Sequence, residues 1–215
     1  MSASGLHRSA RRMAWRPWRN VSFASVDVET TGLDPTRDAI VSFGVVPVEA
    51  GRARLDAAVY RVARPDVELS GRSVTVHGIR PVDLDEAPSL SEEVEDLRQA
   101  LQGRVILAWT AWVEAHFLGR ALGGRPRRWE REIIDVRRVV SWLDALEGRG
   151  RRRVDGEELV DTAERFGVPV EDAHHALSDA LMTAQLFLVV ATRLETMGRG
   201  RLRSLIRGSR PTFHR

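Results

Sequence analysis

The sequence predicts a mixed α/β domain, a sheet flanked by helices. Three observations predict it. The stretch up to Val62 holds three apolar, β-branched-rich runs separated by turn-rich links. Beyond Ser89, short apolar runs alternate with segments of helix length. The whole chain, 215 residues with 43% hydrophobic content, is long enough to bury one sizeable core.

The elements follow in order. Residues 1–19 read as a basic arm, with Trp15 and Trp18 placed to pin its end to the body. Val21–Val28 is a buried strand by its apolar run. Ile40–Val48 and Arg54–Val62 are the second and third strands. The links Asp34-Pro35-Thr36-Arg37-Asp38 and Glu49-Ala50-Gly51-Arg52 make them an antiparallel meander. Residues 65–90 form a longer connection containing Pro65, Pro81 and Pro88. Ser91 is the expected N-cap of a helix with Leu97 and Leu101 on one face. Val105–Ala108 is a short strand, and Ala111–Leu122 is a helix ended by Gly123-Gly124. Glu132–Ile134 is the fifth strand, and Asp135 caps a helix over Val136–Leu146. An Arg-rich loop spans Gly148–Arg153. A helix over Gly156–Phe166 stops at Gly167-Val168-Pro169, and a final long helix runs from Ala176 to Met197. The body from 20 to 198 is expected to be one domain, with residues 199–215 a basic tail.

Composition excludes several classes. There is no cysteine, so disulfides and thiolate metal sites are impossible. Metal ligands must be oxygen or imidazole, which favours Mg²⁺ or Mn²⁺. No apolar run approaches the ~20 residues of a membrane span, and the N-terminus lacks an apolar signal region. A cytoplasmic location without membrane attachment is the expectation. All 33 basic residues are arginine. Residues 1–19 and 199–215 carry five and six of them and no acid, so the two ends hold +11. The body holds 22 arginines against 30 acids, −8, and the sum is the net +3. Such ends suit phosphate contact, and they equally suit plain solubilisation.

The chemistry concentrates at Asp27-Val28-Glu29-Thr30-Thr31-Gly32-Leu33. Strand residues i and i+2 share a face, so Asp27 and Glu29 aim two carboxylates the same way out of an apolar run. Two such groups repel unless a cation lies between them. An ordinary acidic surface turn is the alternative. A second acidic position, Asp179, opens the long helix behind His174-His175. It suits either a site in reach of Asp27 or the helix dipole alone.

Together these pieces resemble the DEDDh (DnaQ-like) 3′→5′ exonucleases, the family of proofreading polymerase subunits and RNase T, over residues 20–195. Asp27 and Glu29 match its first motif, and His174 and Asp179 in HHALSDA match its third. His77-Gly78-Ile79 resembles the family's HGI element. The second motif departs. Glu114 stands where the family has Asp, and Trp109 and Thr110 replace its His and Asn. The resemblance implies a ribonuclease H-like mixed five-stranded sheet. It also implies that Asp27, Glu29, Glu114 and Asp179 hold two divalent cations, Mg²⁺ or Mn²⁺, with His174 as general base and His175 as a rival by proximity. Thr30, Thr31, Leu33 and His77 would touch the terminal nucleotide. The expected activity is release of nucleoside 5′-monophosphates from single-stranded 3′ ends, DNA favoured, with DNA repair as the setting. An exoribonuclease of the same fold and a non-catalytic nucleic-acid-binding module are the alternatives. A DNA polymerase is a possible partner for the C-terminal tail.

Overall fold

The computed structural model describes residues 12–150 and 158–210. The first part of the expected N-terminal arm (1–11), Arg151–Arg153 of the Arg-rich loop, the start of the helix expected from Gly156, and residues 211–215 lie outside the described residues.

Strands β1 (Phe23–Thr30) and β2 (Ile40–Glu49) form the centre of a mixed sheet. β2 is antiparallel to β1, β3 (Arg52–Ala53) and β4 (Val59–Val62). On the other side of β1, β5 (Val105–Ala108) and β6 (Ile134–Asp135) run parallel to it. The sheet therefore has six strands among the described residues, ordered β3-β2-β1-β5-β6 with β4 also on β2. Five were expected. The difference lies around the expected third strand: a 3-10 turn at Leu55–Ala57 takes its first half, β4 is its second half, and β3 falls just before it in the expected link. Arg54 bonds the Asp56 carboxylate through both Nε and Nη2, a local contact that favours the turn, and Leu55 is left exposed rather than alternating inward.

Nine helices connect and cover the sheet among the described residues. α1 (Gly71–His77) and α2 (Pro81–Leu84) lie where only a connection was expected. Ser70 caps α1 by accepting from Ser73 N, and Gly78 ends it in the left-handed region (φ +72°). α3 (Leu90–Leu101) is capped by Ser89, not Ser91. Glu92 reaches back to the Ser89 N–H at 2.8 Å, the reciprocal Ser-x-x-Glu arrangement. α4 (Ala111–Leu122) follows β5, and α5 (Pro126–Glu130) takes up residues that precede β6, so that strand begins at Ile134 instead of Glu132. α6 (Val136–Leu146), α7 (Leu159–Phe166) and α8 (Ala176–Thr196) complete the body.

The segment expected as a C-terminal tail is folded as far as Arg210. α9 (Leu202–Gly208) buries Leu202 and Leu205 completely. The arm is likewise anchored from Trp18, which is fully buried, edge-on to Phe187 at 5.9 Å.

Side-chain alternation on β1 divides the core into two layers. Ala24, Val26 and Val28 face α3 and α4, while Phe23 packs with α6, α7 and α8. By the same alternation Asp27 and Glu29 belong to the α8 face. α8 is the one helix among the described residues long and apolar enough to cross a membrane by length and composition, with mean hydropathy 1.3. This corrects the expectation that no segment is. Its apolar residues are distributed around the helix, and Leu186, Phe187, Val190 and Leu194 are fully buried in the core.

Gly44 sets how closely α8 approaches. It pairs with Asp27 across the β1–β2 ladder. A Cβ there would overlap the Ala176 carbonyl and the Leu177 nitrogen at the start of α8. An isolated glycine within a strand signals such an approach. Gly44→Ala is expected to cost about 2–3 kcal/mol by overpacking. It should also lower the activity that the resemblance implies beyond what that loss explains, because the helix start lifts from the sheet. Thermal melting and turnover, compared with Gly71→Ala, where a Cβ meets open space, check this.

Candidate active site

The turn after β1 is rigid before any ligand arrives. Thr30 Oγ1 donates to the Gly32 carbonyl at 2.7 Å. Thr31 Oγ1 donates to Asp38 Oδ1 at 2.9 Å and accepts from Ala39 N. Gly32 is required there by proximity, since a Cβ would come 2.5 Å from Asp38 Oδ2. Both threonine hydroxyls are therefore bonded within the loop, while Leu33 is 68% exposed beside them. Ser70 Oγ donates to the Thr31 carbonyl and docks the cap of α1 on this turn. At the other end of α1, His77 Nδ1 accepts from Ile79 N, and its Nε2 is buried with no partner. Burial lowers the pKa of this ring.

The rigid turn, the Gly44 gap and the first turn of α8 bring distant residues together. Asp27, Glu29 and Asp179 offer carboxylate oxygens that all lie within 4.8 Å of one another. Glu114, on the first turn of α4, does not join them at that spacing. It is close enough that its charge raises Asp27. Burial is the main cause that holds Asp27 well above the usual carboxylate range, followed by Glu114, Glu29 and Asp179. Burial and then Asp179 push Glu29 to about 8. Glu114 rises to about 8, mainly by burial, and Asp179 to about 6 by burial, eased by the His174 ring and backbone N–H. Asp179 Oδ1 and Glu114 Oε2 are buried without a hydrogen-bond partner. Desolvated, mutually repelling carboxylates with orphaned oxygens have the donor chemistry of a hard divalent cation site.

The two adjacent histidines separate. His174 is exposed with a left-handed backbone (φ +64°) and leans on Asp179. His175 is the N-cap residue of α8, and its ring lies against Tyr60 of β4 at 4.4 Å. His116 is held by the Trp112 carbonyl at 2.8 Å, away from the cluster as expected from its helix position.

Asp135 caps more than the sequence suggests. Its Oδ1 accepts from Arg138 N at 2.8 Å, the expected cap of α6. Its Oδ2 also accepts from Ala111 N, the first residue of α4, at 3.3 Å. One buried carboxylate thus fixes the start of the helix that presents Glu114. Its own N–H donates to Ser209 Oγ at 2.8 Å, so the C-terminal segment supports the site from behind. Sequence reasoning missed Gly44 and Ser209. Gly44 carried a usable signal in its apolar strand, whereas Ser209 lies in a stretch whose charge obscured its packing.

A family model described as exonuclease (RNase T) matches residues 25–187. The chain belongs to the RNase T exonuclease family. The matched region contains Asp27, Glu29, Glu114, His174 and Asp179, and the domain is that of an exonuclease, a phosphodiester hydrolase. The exonuclease is similar to a PolC-type DNA polymerase III of Thermotoga petrophila, 27% identical over 182 residues, 84% of this chain. It spans only 13% of that relative's length. Among solved structures, E. coli exonuclease I in complex with a dT13 oligonucleotide aligns with TM-score 0.65 and 18% identity, over 83% of this chain and 42% of that one. The nuclease domain of 3′hExo, a DEDDh family member bound to rAMP, aligns with TM-score 0.62 and 18% identity, over 84% and 94%. At that identity these likenesses speak to the fold, a ribonuclease H-like mixed sheet with flanking helices.

Proposed function

We propose that the domain removes nucleoside 5′-monophosphates one at a time from single-stranded 3′ ends, DNA favoured, with Asp27, Glu29, Asp179 and Glu114 holding two divalent ions, Mg²⁺ or Mn²⁺. The observation that carries this reading is the convergence of three largely enclosed carboxylates within 4.8 Å, each with its pKa raised. Ions bound there supply charge that acidifies a water and stabilises the leaving 3′ oxygen. The chain's own residues do the rest. Asp27 and Glu29 stay aligned because ladder pairs with Gly44 and Ser42 fix their strand. Glu114, a methylene longer than the family's Asp, reaches inward from a helix start tethered by Asp135. His174 takes the proton of the attacking water. Its exposed ring next to Asp179 supports that role, while the contact between His175 and Tyr60 leaves His175 a packing role. Leu33 gives the terminal base an apolar contact, Thr30 and Thr31 hold the turn that presents it, and His77 Nε2 is a further polar contact for the nucleotide.

DNA is favoured because the polymerase relative and the oligonucleotide-bound exonuclease I both concern DNA, which is also consistent with repair or proofreading beside a polymerase in the cytoplasm. The likeness to a domain bound to rAMP favours an exoribonuclease as the second reading. Digestion of 5′-labelled single-stranded DNA and RNA with Mg²⁺, Mn²⁺ or EDTA tests both. The expected result is a ladder shortening from the 3′ end with mononucleotide release, abolished by EDTA. Internal cuts, or activity indifferent to EDTA, would reject the proposal. His174→Ala is expected to slow single-turnover cleavage by about 10²–10⁴-fold with little change in KM. If His175→Ala proves the more damaging change, the base is misassigned.

A further inference from the structure

Residues 14–18 and 200–203 meet beside Glu195, at the opposite end of α8 from Asp179. Pro17 and Arg201 form an antiparallel bridge. Trp18 N donates to the Gly200 carbonyl, Leu202 N to the Arg16 carbonyl, and Arg203 N to the Ala14 carbonyl at 2.7 Å. Two segments that are separate in sequence thus become one surface. Residues 12–19 and 199–210 contain eight arginines and no acid. Arg12, Arg16, Arg201, Arg203 and Arg207 are all exposed, and none of them forms an ion pair with a carboxylate among the described residues. Glu195, at the edge of this surface, is bonded by Arg19 at 2.9 Å and by Trp18 Nε1. Trp15 stands 62% exposed in the middle, with the Arg203 guanidinium 3.6 Å over its ring, and Arg201 Nη1 bonds its carbonyl at 3.0 Å.

We propose that this surface anchors the polynucleotide strand upstream of the end being cut. The inference rests on the nuclease reading and extends it to substrate length. Unpaired planar guanidiniums match phosphates, and an exposed indole fixed among them offers a base a stacking surface. The body between residues 20 and 198 carries −8 and repels a phosphate chain on its own, so the attraction resides at the joined termini. A single α8 links the two places, with Asp179 near its start and Glu195 sixteen residues later. At 1.5 Å per residue the span is about 24 Å. That corresponds to about seven nucleotides at a stacked rise of 3.4 Å. A 20-mer reaches both places, and a trinucleotide reaches only the carboxylates.

The test compares wild type with the triple variant Arg201→Gln, Arg203→Gln, Arg207→Gln, with the same three positions changed to Lys, and with Trp15→Ala. Cleavage kinetics are measured on a 20-mer and a trinucleotide, and metal-free binding of a labelled 20-mer is followed by anisotropy against salt. The glutamine variant is expected to lose about tenfold or more of the 20-mer's kcat/KM advantage over the trinucleotide. Its salt slope should fall by about 2, from three lost phosphate contacts. The lysine variant should keep the slope, which separates lost charge from lost folding. Trp15→Ala should weaken 20-mer binding without changing the slope. An unchanged 20-mer KM and slope in the glutamine variant overturns the proposal. So does retained oligonucleotide affinity together with loss of a co-purifying protein, which would make the surface a protein interface. If wild type cleaves neither substrate but the slope still falls in the glutamine variant, the nuclease reading fails and the anchoring surface stands.

Discussion

Asp27→Asn is expected to reduce exonuclease turnover by about 10³-fold or more while raising the melting temperature of the metal-free protein. The two effects have one cause. Asp27 lies in a desolvated group where Glu114, Glu29 and Asp179 all raise its pKa, so its negative charge opposes folding when no cation is present. Asparagine keeps the shape and removes the charge, which relieves on the order of 1 kcal/mol of repulsion, or about 2–4 °C in a domain of this size. The same substitution deletes a carboxylate from the group proposed to hold the ions, and groups that act as a unit lose most of their function when one is removed. Turnover and calorimetry on one preparation decide the matter. Retained activity would reject the site, and joint loss of activity and stability would make Asp27 a structural residue.

The second large effect is on stability against pH. Glu29 and Glu114 rise from 4.5 to about 8, and Asp179 from 3.8 to about 6. Because the folded values exceed the unfolded ones, the folded protein binds more protons between about pH 4 and pH 8. Stability from these groups is therefore fully present below pH 4 and is lost as the pH rises through 6 and then 8. In EDTA, melting is expected to fall between pH 5 and pH 8.5 by about 10 °C, corresponding to on the order of 3 kcal/mol. Millimolar Mg²⁺ or Mn²⁺ should reverse the trend, because ion binding needs the ionised carboxylates and stabilises only the folded state. A metal-free melting temperature that is flat or rises across this range would contradict the carboxylate cluster as described.

Much of this was legible in the chain. The alternation on β1 puts Asp27 and Glu29 on one face without any tertiary information, and the Asp135 cap is readable from its position before an apolar helix. The family motifs around Asp27, Glu29, His174 and Asp179 point to exonuclease chemistry. Other features carried weak local signals. α1, α2 and α5 are too short for a helical period to stand out. Ser89 and Ser91 compete as caps, and only the reach of Glu92 selects Ser89. In the C-terminal segment, Leu202 and Leu205 sit at helical spacing, but alternating arginines dominate the composition, so folded chain reads as a tail.

What the sequence determined by itself, then, was the set of strands and helices at its centre, the chemical identity of the acidic groups and the family to which they belong. What only the tertiary structure decided was their meeting. Asp179 comes to Asp27 from far along the chain because Gly44 leaves room for α8 to touch the sheet. Asp135 holds the starts of two helices at once, and the two basic ends join into one surface around Trp15. Periodicity and capping act over a few residues and are written locally. Contacts between distant segments depend on how closely whole elements pack, and a single missing side chain can set that.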